Sequence, residues 1–236
     1  MKKNRQWIVC LLMVIFIFSG CSKKGLDEQE IAKVFIEDFI YHKETKKFKE
    51  NFDNGDILSK QLSIMTTNVG DSFSSVFDPI TGPLPDKEKK QISEGLMKKV
   101  QETSSYNYSV KEVKKNQYKV TYKIQGFDYA HLVDKTLDEV LSELMKNEDI
   151  TGKESKQMIL KSFNTALGKG TKSKQVTNVT LTFEKDKKKW QISEGQDEEL
   201  ELILMAFVSG YNNKDDYDKE MTEMLESSIN KAKAKL

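Results

Sequence analysis

The chain has 236 residues, 37% of them hydrophobic and 32% charged, with 38 basic residues against 37 acidic ones and a net charge of +1. That balance gives no reason to expect nucleic acid as a partner, and the apolar content with its periodic patterning excludes a disordered stalk. The single arginine, Arg5, stands near the start, so nothing after it can form a guanidinium fork on a carboxylate or phosphate.

In chain order the first signal is a leader. Met1-Lys2-Lys3-Asn4-Arg5-Gln6 is a short cationic segment, and Trp7 to Phe18 is an unbroken apolar run of 12 residues. As a helix that run rises only about 18 Å, short of a hydrocarbon core of about 30 Å. Its length is that of the apolar region of a secretory signal peptide. The junction Phe18-Ser19-Gly20-Cys21 resembles the lipobox of bacterial lipoproteins, with Phe18 where an aliphatic residue is commoner. The resemblance implies cleavage between Gly20 and Cys21 and a diacylglyceryl thioether, with palmitate-like chains, on the Cys21 thiol. Without it, Cys21 is an ordinary thiol after an ordinary cleavage site. Acyl chains bind a bilayer by about 0.8 kcal/mol per buried methylene, so the expected location is the extracytoplasmic face of the cell membrane. The tether Ser22-Lys23-Lys24-Gly25 reaches about 14 Å at most. Lys23 and Lys24 either draw anionic head groups or simply solvate the linker. The other cysteine, Cys10, falls within the leader, so the exported part has no disulfide, cysteine dyad or thiolate metal site.

Residues 21–26 are expected to be the lipidated cysteine and tether, 27–195 an α+β domain, and 196–236 C-terminal helices. Asp27 with Glu30 three later is a capping box. Ile31, Phe35, Asp38/Phe39 and His42 follow at helical spacing, with Ile31, Phe35 and Phe39 as the buried stripe. A shorter helix runs from Lys46 to Phe52, and the turn Asp53-Asn54-Gly55-Asp56 starts a third through Ile57, Leu58, Leu62 and Met65. Residues 69–86 break the pattern, holding all three prolines beside apolar Phe73, Val76, Phe77 and Ile80. They are expected either to roof the helical layer or to form a lid or docking patch. A helix from Asp86 to Thr103 carries Ile92, Leu96, Met97 and Val100.

The period then changes to two. Tyr106, Tyr108 and Val110, then Tyr118, Val120, Tyr122 and Ile124, alternate with polar residues across Lys115-Asn116, which predicts a hairpin with one wet face. A helical pair follows at Asp128–Asn147 and Lys153–Leu167, ended by Gly168-Lys169-Gly170. The second hairpin has Val179, Leu181 and Phe183, a turn at Lys185-Asp186-Lys187-Lys188, then Trp190 and Ile192. Gln196-Asp197-Glu198-Glu199 places three acidic residues in the first turn of a helix with Leu200, Ile203, Leu204 and Phe207. A last amphipathic stretch has Tyr217, Met221, Met224, Leu225 and Ile229, with a lysine-rich end, 231–235, expected to fray.

The fold class is therefore α+β: N-terminal helices packed on a curved antiparallel sheet of two hairpins, with an inserted helical pair and a C-terminal helical tail. The segment Val-Thr-Leu-Thr-Phe-Glu-Lys-Asp-Lys-Lys-Lys-Trp-Gln-Ile, 179–192, resembles the closing strand pair of nuclear-transport-factor-2-like and cystatin-like domains. With the lipobox, the chain resembles Gram-positive surface lipoproteins that carry such domains. The resemblance covers roughly residues 27–195, with the helical pair at 128–168 as an insertion, and implies a cone that often leaves a pocket. That family has no single activity.

Candidate chemistry is sparse. Asp128, Tyr129 and His131 lie where a strand runs into a helix and are read either as an acid–base group at a pocket mouth or as an ordinary helix start with Asp128 as cap. Asp53-Asn54-Gly55-Asp56 lacks the spacing and closing glutamate of a calcium loop. Ser74 and Ser75 have no nucleophile-elbow context, and there is no glycine-rich phosphate loop. The lysines at 185–189 either touch an anionic wall polymer or are the solvated tip of a hairpin. No cofactor or metal is expected.

Three functions stay open. The first is a non-catalytic, lipid-anchored surface module for a protein, peptide or apolar small molecule. The second is an enzyme using a cone cavity with His131 and Asp128. In the third, the apolar leader end, residues 14–20, is released into the medium as a short signalling peptide, as its resemblance to such peptides of Gram-positive lipoprotein leaders implies. For a two-lobed transport-binding protein the exported part is short.

Overall fold

The first helix begins where it does for a local reason. Asp27 Oδ1 accepts from the backbone N–H groups of Gln29 and Glu30, and Glu30 returns a carboxylate to the Asp27 N–H at 3.1 Å. The computed structural model describes residues 25–78, 82–146 and 151–233; Gly20 and Cys21, with their expected cleavage and acylation, lie outside the described residues, as do Pro79 and Ile80. The helix, α1 (Glu28–Phe39), buries Ile31, Phe35 and Phe39 completely. It stops short of His42, whose backbone turns left-handed at φ 52°. Four helices complete the N-terminal layer: α2 (Thr45–Asn51), α3 (Gly55–Thr67), α4 (Val69–Ser75) and α5 (Asp86–Thr103).

The expected break at residue 69 is corrected by α4, which follows α3 across a single residue, Asn68. The cause is tertiary. Gly70 lies so close to α5 that a Cβ there would collide with Lys89 O and Ser93 Oγ. Its N–H donates to Ser93 Oγ at 2.8 Å, and that hydroxyl donates to Thr67 O at 2.6 Å. Phe73 and Phe77 are fully buried, with Phe73 4.7 Å from Phe163 and 6.0 Å from Tyr129 between ring centres. These phenylalanines roof the helical layer.

The sheet comprises β1 (Ser105–Lys114), β2 (Gln117–Gln125), β3 (Thr177–Asp186) and β4 (Lys189–Ile192), in that order with every neighbour antiparallel. The helical pair α6 (Tyr129–Lys146) and α7 (Gly152–Gly168) is inserted between β2 and β3. Tyr118 faces Phe183, Val120 faces Leu181 and Tyr122 faces Val179, so one face gathers the apolar residues and Lys119 and Lys123 stay exposed on the other. Both hairpins turn over two residues, Lys115-Asn116 and Lys187-Lys188. Asn116 and Lys187 supply the left-handed backbone, at φ 63° and 54°. The second turn is thus tighter than the expected 185–188, because pairing runs on through Asp186 with Lys189.

Helix α1 lies on the apolar face. The Phe35 ring centre is 5.4 Å from that of Phe183, 6.2 Å from Tyr122 and 6.3 Å from Phe52, and Tyr122 Oη donates to Ala32 O at 2.9 Å. Aromatic rings therefore fill the space between sheet and helix. Thr151 and Glu154 start α7 with a second capping box, ahead of the expected Lys153. Helices α8 (Asp197–Ser209) and α9 (Lys214–Lys233) close the chain. Helix α9 runs as far as Lys233; Ser228 Oγ donates to Asp134 at 3.0 Å and Lys231 lies 3.9 Å from the same carboxylate.

Glu184 ties the hairpins together. Its carboxylate accepts from Gln117 Nε2 (2.7 Å), Ser193 Oγ (3.0 Å) and Gln191 Nε2 (3.2 Å), and these bonds, Gln117 foremost, hold its pKa below the ordinary value. A depressed folded pKa gives stability that is complete above the unfolded value, about 4.3, and is lost as pH falls through the folded one. The gap in melting temperature between wild type and Glu184→Gln is therefore widest above about pH 5 and closes on acidification. Calorimetry across that range checks it.

Candidate functional site

Strand β2 ends at Gln125, and the next three residues cross two other segments. Phe127 N–H donates to Phe207 O at 2.9 Å, Asp128 N–H to Thr171 O at 3.0 Å, and Gly126 O accepts from Ser173 N–H at 2.8 Å. The crossing fixes the start of α6 against α8 and sets Tyr129, 2% exposed, into the wall of a cleft. Val69 and Ser72 of α4, Glu201, Leu204, Met205, Val208 and Ser209 of α8, and Tyr217 of α9 form the rest of that wall. Its volume is about 210 Å³.

The two phenols govern its chemistry. Their ring centres are 6.2 Å apart, and the two hydroxyls are hydrogen-bonded to each other. Burial pushes Tyr217 up to about 12 and Tyr129 well above the ordinary tyrosine value. Both stay neutral at physiological pH, so the cleft offers a hydroxyl pair and aliphatic surface. Outside it, burial and then the carboxylates of Asp128 and Glu223 raise Glu220 above the ordinary value.

The residues singled out from sequence fall in separate places, with Asp128, Tyr129 and His131 together at the start of α6. Asp128 Oδ1 accepts from the His131 N–H at 3.2 Å, so Asp128 caps α6. The His131 side chain is exposed, two residues on from Tyr129 and about 200° around the helix. His42 Nε2 is 3.4 Å from Thr66 Oγ1 in a separate groove beside α5. Asn54 takes a left-handed turn before α3, and Asp56 pairs with Lys49 at 3.2 Å. Ser74 and Ser75 donate to carbonyls of their own helix. Among the described residues no group of three His, Cys, Asp or Glu is placed to hold a metal ion.

The cleft residues themselves escape a sequence reading that gives α8 a single buried stripe. The available signal is the unbroken apolar run from Leu202 to Val208, which is more than one core face needs. Ile203 and Phe207 enter the core, while Leu204 and Met205 are left half-buried for the cleft.

No protein-family model matches the chain, and no curated protein matches it. Among solved structures it is similar to the crystal structure of ycdA from Bacillus subtilis subsp. subtilis str. 168, a candidate lipoprotein, with a TM-score of 0.61 at 17% identity. The match covers 79% of this chain and 57% of that one, and the likeness is one of fold.

Proposed function

We propose that the chain is a lipid-anchored, extracytoplasmic interaction module that takes an apolar side chain of a protein or peptide partner into the cleft between α4, α6, α8 and α9. The observation that carries it is the cleft itself: aliphatic walls, two neutral phenols and a volume of about 210 Å³. Small-molecule sites usually occupy about 300–1,000 Å³, so this one suits a side chain or a small apolar group better than a cofactor. The anchor is supported by the lipobox resemblance at Phe18-Ser19-Gly20-Cys21 and by a fold shared with a candidate lipoprotein. Among the described residues no helix is long and apolar enough to cross a membrane.

The cone-shaped resemblance places a ligand inside the curve of the sheet. The rings around Phe35 occupy that side here, which favours the helical end as the binding place. An acid–base mechanism on His131 and Asp128 has less support, since Asp128 caps a helix and the imidazole is exposed.

Two experiments test the proposal. Mass spectrometry of membrane-extracted protein is expected to find an acylated N-terminal Cys21, and Cys21→Ala to stay uncleaved or be shed; an unmodified Cys21 or a later start refutes the anchor. Leader peptides in the culture fluid would instead support signal release. For the cleft, the neutral dye Nile red should brighten with wild type but not with Met205→Trp, which fills the space from a half-buried position. A dye response that is absent in wild type, or the same in both proteins, refutes the cleft.

A further inference from the structure

We infer that the two hairpin turns form a docking tip for anionic lipid head groups, which sets how the domain stands on the bilayer. The inference rests on the anchored reading above and adds a second contact with the membrane. The first described residues lie on this tip. Leu26 O accepts from Trp190 Nε1 at 3.0 Å and from Lys185 Nζ at 3.2 Å, and the Leu26 N–H donates to Asn51 Oδ1 at 3.4 Å. Gly25 passes so near the turn that a Cβ on it would stand 3.2 Å from the Lys188 carbonyl oxygen. The chain therefore joins the fold at the turns, and Cys21, four residues earlier, is within about 14 Å of them.

The turns are side by side, joined by Lys185 N–H donating to Asn116 O at 2.8 Å. Residues 111–119 and 184–189 carry Lys111, Lys114, Lys115, Lys119, Lys185, Lys187, Lys188 and Lys189 against Glu112, Glu184 and Asp186. In a chain of net charge +1, that is a strong segregation of charge. Lys114, Lys115, Lys187 and Lys188 are all exposed, and Val113, 43% exposed, stands beside the first two. Acidic groups at the margin include Asp56, which is paired with Lys49, and Asp53, whose backbone N–H donates to Trp190 O at 2.7 Å.

Distance selects the occupant. The potential of an anionic membrane surface falls off over a Debye length, about 8 Å at physiological salt. A tether that spans about 14 Å at most keeps the turns close enough to enter that layer, whereas a wall polymer further out has no comparable constraint. Each basic residue at such a surface strengthens binding roughly fivefold.

The test uses the mature chain with Cys21→Ser, which keeps every described residue and carries no acyl chain, so its outcome is independent of lipidation. Co-sedimentation is measured with phosphatidylcholine vesicles alone and with phosphatidylglycerol added, at low and physiological salt. Binding is expected only with phosphatidylglycerol, weakening as salt rises. Adding Lys114→Gln, Lys115→Gln and Lys188→Gln should weaken it about 100-fold, while Lys90→Gln, Lys98→Gln and Lys153→Gln together leave it within about threefold. Circular dichroism confirms that both triple variants are folded. In the lipidated chain on the same vesicles, hydrogen exchange should slow at residues 113–116 and 187–189. Failure to bind phosphatidylglycerol vesicles, equal binding to neutral ones, equal loss in the two triple variants, or binding to isolated wall polymer in place of vesicles overturns the tip, even if Cys21 is acylated.

Discussion

Trp190→Ala lowers the melting temperature by roughly 12 °C, at about 4 kcal/mol for the lost ring and about 3 °C per kcal/mol in a domain of this size. The ring is fully buried. Tyr118 lies 5.5 Å away between centres, the Lys185 ammonium is 4.8 Å from the ring, and Phe52 pairs with the Trp190 backbone as a parallel bridge. One residue thus joins β4, the entry to α3 and the first described residues. Trp190→Phe separates packing from clamping: most of the ring mass stays and only the indole donor to Leu26 O is lost. Its expected cost is about 1–2 kcal/mol, with faster amide exchange at the Leu26 N–H as the specific sign. Calorimetry and hydrogen exchange read the pair. A fall of less than about 3 °C in Trp190→Ala would mean that β4 is held elsewhere.

Gly126→Ala is expected to cost about 3 kcal/mol or more, the upper range for inserting an atom into packed structure. A Cβ at Gly126 would collide with Ala206 O and stand 2.9 Å from both Gly210 N and Phe207 O. All three are backbone atoms, so no side chain can swing aside. The strand end must move off α8, and Tyr129 moves with it. A melting temperature lower by roughly 9 °C and loss of the Nile red response are expected together. Gly152→Ala is the control: a Cβ there meets open space at the first position of α7, and alanine is a better helix former by up to about 1 kcal/mol. Equal melting temperatures for the two variants would rule out the close crossing at residues 126–128.

Elements whose cause is local were legible in the sequence. The Asp27–Glu30 box, the alternation through Val120, Tyr122 and Ile124, and the match of Val179, Leu181 and Phe183 to them each need only near neighbours, and together they yield the α+β layout. Helix α4 was not legible, because Gly70 and Ser93 hold it from 23 residues apart. Thr151 with Glu154 was a local signal that the expected start at Lys153 passed over. Asp128 was legible as a cap. The cleft was not, because Val69, Tyr129, Met205 and Tyr217 belong to four separate helices, and only the excess apolar run in α8 hints at it. Cys21 is the plainest signal in the chain and lies outside the described residues.

The clamp on Leu26 also has a mechanical meaning. A pull on the chain ahead of Leu26 meets the fold at that residue, whose carbonyl oxygen is held by Lys185 and Trp190 of the second hairpin and whose N–H is held by Asn51. A partner gripping the cleft pulls on Tyr129, just past the far end of β2, a strand of 9 residues spanning about 30 Å. Tension between the two points runs along the strands, into β3 at one end and out of β2 at the other. The bonds between antiparallel strands lie across that line. The eight residue pairs from Gln117–Glu184 to Ile124–Thr177 are therefore sheared together instead of being unzipped in turn, which makes the sheet stiff along the line from Leu26 to Tyr129.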